Sequence, residues 1–405
     1  MQSRTEIRPL AAHGHSGRAV VRDLLVHGPR PRAELARRLR LSPAALTKVT
    51  RELLESGAIR PSEQGATDTG GRPGVPLEVA VADHQMVGVK VTGDGVYAVR
   101  TDALGCVMRT ARAELTTTDV DPVVAQIIEM VKEVAEDAPV EAVGIGLAGA
   151  MARFDDRVRL SLYLGWDDVP LADAVERACG LPTVVSNDVR ALTAGVHWSG
   201  PGRGHDDLAV VTTGVGLGLG LVVEGRTHAG VGGRAGMIGH HRVDPGGPVC
   251  DQGHRGCASS YLTTAAITGA VAVAHGEPGM TLERVCELAD AGDGVARRVL
   301  DDAGHALGVV VASLVDLLEL PLVILAGDGI PAVVRTRDAL ERSLAEHLDA
   351  GAQPPEIRFL MSDFDEWARG AAVVASQWVL LEPARARRVW ARRHQHEPSR
   401  RGAGA

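Results

Sequence analysis

From Val87 onward the chain alternates short apolar strands with helices, and it runs through that alternation twice in the same order. Val87–Val91, Tyr97–Thr101 and Val107–Arg112 read as a three-stranded meander, with turns at Gly93-Asp94-Gly95 and Leu104-Gly105. A helix follows at Pro122–Ala135, then a buried strand at Ala142–Leu147, a helix at Leu171–Cys179 and a strand at Thr183–Val185. Asn187-Asp188 opens a further helix that runs to His197. A new strand starts at Leu208–Thr212, its loop leads into Leu219–Val223, and the order begins again. Such a repeat predicts an α/β body of two related lobes with a cleft between them. A chain of 405 residues with 45% hydrophobic residues can fill several cores. It has no apolar run of membrane-spanning length, and Met1–Ala12 carries no secretory block. Five cysteines, an odd number, do not make a disulfide framework, so the expectation is a cytoplasmic protein without membrane attachment.

The net charge of −8 is unevenly divided. Residues 1–80 hold 13 Arg and Lys against 8 Asp and Glu, and residues 384–405 hold 7 Arg against Glu397 alone. Residues 81–383 are therefore at −19. A basic front end on an acidic body suggests that the front end meets a polyanion and the body something else. Three helical patterns lie in that front end, at Gly17–His27, at Arg32–Leu39 and from Ser42-Pro43 to Ser56-Gly57. In the third, Leu46, Val49, Leu53 and Leu54 face inward, whereas Ala44, Ala45, Thr47, Lys48 and Arg51 face outward. Ala58-Ile59-Arg60 and Leu77-Glu78-Val79 then flank a Gly-rich tip at Thr69–Pro73, the pattern of a β-wing. A three-helix protein-interaction module with a solvated basic face is the competing reading. The capped third helix, the wing and the sign of the charge together favour a winged helix-turn-helix over residues 1–80. Ser42, Ala44, Ala45, Thr47, Lys48 and Arg51 would then meet a double-stranded DNA operator, with Arg72 at the wing tip suited to a minor groove. The basic tail, 384–405, reads as a flexible extension.

Three further segments carry chemistry. Thr212–Gly220 places glycines at alternate positions, as a phosphate cradle or a tight hairpin would require. Asn187-Asp188 stands where a strand ends and a helix starts, so the carboxylate can accept a hydroxyl proton or cap the helix. His240, His241, Cys250, His254 and Cys257 fall within eighteen residues amid glycines, a soft-ligand cluster suited to zinc although it has no C-x-x-C pair.

Taken together, these segments resemble the ROK family (repressors, open reading frames and kinases), and in particular its N-acetylglucosamine- and xylose-type repressors. The front end carries Pro31-Arg32-Ala33-Glu34-Leu35-Ala36, Leu41-Ser42-Pro43 and Gly70-Gly71-Arg72-Pro73. The body carries Asn187-Asp188, Thr213–Gly220, Gly230 and Gly233 through His240, Cys250 with Gly253, Gly256 and Cys257, and Ala326-Gly327-Asp328-Gly329. The resemblance implies an actin/hexokinase-like ROK domain over 81–383. It implies an effector site with Asn187, Asp188, His240, Gly149 and Gly233, and zinc on His240, Cys250 and Cys257.

Departures from the family pattern bear on activity. Lys90 stands where family kinases have the first Asp of the loop that organises ATP phosphates and metal, and a cation cannot hold Mg²⁺. Met237 and Ser259 stand where family sugar kinases have sugar-contacting glutamates. Gln252 replaces the middle cysteine of the zinc run, so His254 or a water completes the site, or the segment folds without metal. The expectation is a non-enzymatic, sugar-responsive repressor with no ATP requirement, Asp188 being a vestigial base. It would bind DNA as a homodimer or homotetramer. The alternatives are an active sugar kinase with a DNA-binding arm and a regulator that no longer senses sugar.

Overall fold

The computed structural model describes residues 14–62, 75–80, 84–361 and 363–382. Helices α1 (His15–His27), α2 (Arg32–Arg38) and α3 (Pro43–Glu55) open the described chain. α1 stops at Gly28, whose φ of 83° suits glycine, and the Gly28 N–H donates to the Leu24 carbonyl. α3 starts where the sequence places it: Ser42 Oγ accepts the Ala45 N–H at 3.2 Å and Pro43 fills the first helical position. Val20, Val21, Leu24, Leu35, Leu46 and Leu53 are buried together between these helices. Strands β1 (Ile59–Pro61) and β2 (Leu77–Val79) pair antiparallel, with Ile59 opposite Val79. The tip of the expected wing, including Arg72, and the basic tail lie outside the described residues.

The first lobe is built from β3 (Gln85–Val91), β4 (Gly95–Asp102), β5 (Val107–Glu114), α4 (Val120–Ala135), β6 (Val140–Leu147), β7 (Val158–Ser161), β8 (Trp166–Val169), α5 (Leu171–Cys179), β9 (Thr183–Asn187) and α6 (Asp188–Ser199). Its sheet runs β5-β4-β3-β6-β9, antiparallel on the meander side and parallel from β3 onward. The small β7–β8 hairpin is a feature the sequence reading lacks.

A second compact unit, His205–Glu366, contains β10 (Leu208–Thr213), β11 (Leu217–Val223), β12 (Arg226–Thr227), α7 (Ser259–Leu262), α8 (Thr264–His275), α9 (Leu282–Asp290), α10 (Gly294–Leu318), β13 (Leu322–Ala326), α11 (Ile330–Arg335), α12 (Arg337–His347) and β14 (Glu356–Phe359). Its sheet order, β12-β11-β10-β13-β14, repeats the first: a meander on one side and two parallel strands on the other. The repeated order in the sequence is thus a repeated topology.

Helix α13 (Phe364–Leu381) brings Trp367 and the residues after it back to the first unit, which comprises the chain up to Gly204. Strand alternation sorts that unit's sheet into two faces. Val87, Val89, Val91, Val143, Ile145 and Leu147 join a core with α4 and α5. Gly88 and Gly144 point the other way, where α13 lies so close that a Cβ would stand 2.0 Å from the Ala368 carbonyl and 1.9 Å from that of Ala371. This second face shares one core with α6, α13 and the N-terminal helices. Lys90, two residues beyond Gly88, belongs to the same face. Among the described residues no helix is long and apolar enough to cross a membrane.

Candidate functional site

Lys90 is the penultimate residue of β3, on the α13 face, and Asp188 opens α6. Their side chains, 6% and 10% exposed, meet with Nζ 2.5 Å from Oδ2. The Lys90 ammonium also lies 4.9 Å from the centroid of a Trp367 ring, a cation–π contact. Asp188 Oδ1 accepts the Val189 N–H at 2.9 Å. The helix cap is Asn187 and not Asp188: Asn187 Oδ1 accepts the Arg190 N–H at 3.1 Å, while Nδ2 donates to the Gly149 carbonyl at 3.1 Å. Gly149 has φ 155°, and a Cβ there would sit 2.6 Å from the Leu160 carbonyl. Arg190 donates to the Met151 and Ala152 carbonyls, both at 3.1 Å. Burial, and then the neighbouring Arg153, push its pKa down to about 10, which still leaves a cation at neutral pH. Gly149, Asn187 and Asp188 are therefore brought together, and Arg190 locks their loop to the helix.

The other segments that the resemblance sets around a phosphate make internal contacts. Thr92 Oγ1 donates to Asp94 Oδ1 at 2.7 Å, so that carboxylate is tied into its own turn. In the second unit, Thr212 pairs with Gly218 and Thr213 with Leu217, so Gly214-Val215-Gly216 is the tip of a hairpin. Gly327-Asp328-Gly329 packs against it: the Gly329 N–H donates to the Thr213 carbonyl at 2.8 Å. The Asp328 carboxylate is placed 3.6 Å from where a Gly214 Cβ would be.

Gly233 and His240 belong to the second unit. There the Cys/His segment folds into a knuckle. The candidate ligand atoms of His240, Cys250, His254 and Cys257 all lie within 4.8 Å of one another, with His240 Nδ1 3.5 Å from Cys250 Sγ. The fourth donor is His254, brought in by a turn in which the Cys250 N–H donates to the His254 carbonyl at 2.7 Å. His241 points elsewhere, its Nε2 3.4 Å from Ser313 Oγ. Two thiols and two imidazoles at this separation suit a tetrahedral Zn²⁺. The knuckle is clasped from outside: Tyr261 OH donates to Asp244 Oδ2 at 2.9 Å. The Gly246 amide and the Tyr261 hydroxyl hold the Asp244 carboxyl below its usual range. Burial, then Asp244, pushes Tyr261 up to about 12. Met237 is exposed, and the Ser259 hydroxyl is buried without a hydrogen-bond partner.

On α3, Ser42, Ala44, Ala45, Thr47, Lys48 and Arg51 are all exposed, as their spacing predicts. Thr47 Oγ1 donates back to the Pro43 carbonyl at 2.8 Å, and Arg51 is 3.9 Å from Glu55. Sequence reading missed the network beneath: buried Asp23 accepts from Arg38 Nε at 2.8 Å and lies 3.5 Å from Arg30, which also pairs with Glu34.

The ROK family profile matches residues 86–377. The chain belongs to the ROK family. It is 26% identical over 325 residues to the DNA-binding transcriptional dual regulator NagC of Escherichia coli K12, covering 76% of this chain and 79% of that one. It is 31% identical over 257 residues to a glucokinase of Halalkalibacterium halodurans, covering 59% and 76%. A crystal structure of a ROK transcriptional regulator, a homologue of E. coli Mlc, superposes with a TM-score of 0.71 at 23% identity, covering 91% of this chain and 98% of that one. That likeness concerns the fold, and it extends over more of the chain than the family profile does.

Proposed function

We propose that this ROK protein is a DNA-binding transcriptional repressor of sugar-related genes whose kinase-like body reads an effector and transfers no phosphate. The observation that carries the reading is Lys90. A kinase of this family needs an anion there to organise metal and a free carboxylate at Asp188 to take the hydroxyl proton. Here the two positions neutralise each other inside the protein. Asp188, with Asn187 and Gly149, remains able to accept or donate hydrogen bonds to a hydroxylated ligand. Without the family's glutamates at Met237 and Ser259, a deoxy or substituted sugar suits the protein better than a plain hexose.

Residues 1–80 act in this reading as the winged helix-turn-helix, with α3 in the major groove and Arg72 at the wing, and 81–383 as the effector-reading body. Pairs of chains would engage two operator half-sites. His240, Cys250, His254 and Cys257 would hold one structural zinc, which when bound ties the knuckle together. The test is a full-length chain against a duplex selected in vitro for binding to it. Arg51→Ala and Arg72→Ala should each weaken retention, and each should lower the salt slope of log K by about one. Unchanged retention in both overturns the contact surface.

A second reading, a working sugar kinase with a DNA-binding arm, is favoured by the retained Asp188 and the 31% identity to a glucokinase. It requires ATP- and sugar-dependent ADP release that Asp188→Asn abolishes. No turnover across a broad sugar panel removes it.

A further inference from the structure

We propose that α6 and the Arg203 that follows it form a lever linking the Lys90–Asp188 site to α1 of the N-terminal helices. This rests on the DNA-binding reading for its functional meaning but not for its mechanics. α6 is buried at Asp188 and from Arg190 to Trp198, so it has no solvent-facing side along which to relax. Its twelve residues span about 18 Å. At one end stand Asp188 on Lys90, Asn187 on Gly149 and Arg190 on the 151–152 carbonyls. At the other, Trp198 Nε1 donates to the Ala103 carbonyl at 3.0 Å, and Ser199 Oγ accepts from Arg369 Nη1 at 2.7 Å.

The chain does not leave α6 freely. The Gly202 N–H returns to the Val196 carbonyl and the Arg203 N–H to the Gly200 carbonyl, both at 3.0 Å, so Arg203 is carried by the helix end. Its guanidinium reaches the last turn of α1. Nε donates to the Val26 carbonyl at 3.0 Å and Nη2 to the Leu25 carbonyl at 3.3 Å. The last carbonyls of a helix have no partner within it, and a cation is favoured there. Arg203 thus supplies donors from the body to the Leu25 and Val26 carbonyls, which the Gly28 N–H, bonded to the Leu24 carbonyl, does not reach. α1 in turn shares one core with α2 and α3 through Val21, Leu24, Leu35, Leu46 and Leu53.

A ligand that draws Asp188 away from Lys90 displaces the start of α6. A rigid helix in a packed core passes that displacement to Arg203 and so to α1 and α3. Arg203 is a positioning residue here: it touches no ligand.

The test is a double-mutant cycle in the full chain, with Asp188→Asn at one end and Arg203→Ala at the other. Two readouts are taken, amide exchange over residues 24–28 and affinity for the in vitro selected duplex. Asp188→Asn nearly preserves shape and removes the charge that pairs with Lys90. In the Arg203 background it should change both readouts by about fivefold or more, within the ordinary range of allosteric coupling. In the Arg203→Ala background the same substitution should change each by less than about twofold. Arg203→Gln, which keeps amide donors, should give an intermediate cycle and replaces Arg203→Ala if that variant does not fold. Equal effects of Asp188→Asn in both backgrounds, or no effect on residues 24–28 in either, overturn the lever. Coupled exchange without any duplex binding upholds the lever and overturns the DNA-binding reading.

Discussion

Replacing Lys90 by Met tests what the buried Lys90–Asp188 ion pair contributes to the fold. The substitution keeps an unbranched side chain, one heavy atom shorter, and removes its charge. It leaves the Asp188 carboxylate, 10% exposed, with the Val189 amide as its remaining hydrogen bond. Breaking a buried pair from one side costs about 3–5 kcal/mol, because the stranded charge loses its partner without regaining water. The lost cation–π contact with Trp367 is part of that figure. Pairing Lys90→Met with Asp188→Asn removes the stranded charge, so the double variant should cost only about 1–2 kcal/mol. The natural assay is urea unfolding followed by tryptophan fluorescence, because Trp166, Trp198, Trp367 and Trp378 are all buried in the first unit. In a thermal melt followed by the same fluorescence, the single variant of a unit of this size should lower Tm by roughly 6–20 °C. A single variant within about 1 kcal/mol of the natural chain, or a double variant worse than the single, would refute the reasoning.

Metal analysis should find one zinc per chain; Cys257→Ser should lose it, and His254→Gln should weaken its retention at least about tenfold. The Tyr261 pKa, raised to about 12 from an ordinary 10.0, means the folded chain holds that proton more tightly than the unfolded one. Its stabilisation is therefore complete below pH 10.0 and is lost as the pH rises to about 12, a limb that Tyr261→Phe should remove from an alkaline unfolding titration. Gly144→Ala should destabilise the first unit by about 3 kcal/mol in the same urea assay, because its Cβ meets backbone and not a movable side chain.

The α/β frame was legible because short apolar runs recur between helical patterns, as in β6 and β10, which are buried along most or all of their length. The observed ends extend the expected strands by one to two residues, and α5 falls at Leu171–Cys179 as read. The β7–β8 hairpin was not legible. Its strands are four residues each, and Arg157, whose Nε lies 2.8 Å from Asp168 Oδ1, helps hold it, a pairing no local period reveals. The glycines of Gly214–Gly220 carried two readings in the sequence, and the backbone register of β10 on β11 bears out the hairpin. His254 rather than His241 joins the knuckle because the turns at Gly253 and Gly256, with φ of 79° and 69°, fold the segment back on itself.

Lys90 illustrates what sequence alone leaves open. By resemblance to the family's kinases, it puts a cation where they have an acid. It does not say whether that cation sits in solvent, binds an incoming phosphate or is consumed internally. Its partner is 98 residues away, and only the packing of β3 beside β6 and β9 brings the end of β3 to the start of α6. Once paired, the substitution ceases to be a simple loss. Opposite charges buried together hold α6 at one end, as Arg203 holds it at the other, and removing either charge alone costs more than removing both. Stability alone is therefore reason to keep Asp188 paired, and in the proposed lever the same pair is the fixed, electrically satisfied resting state that a ligand must disturb.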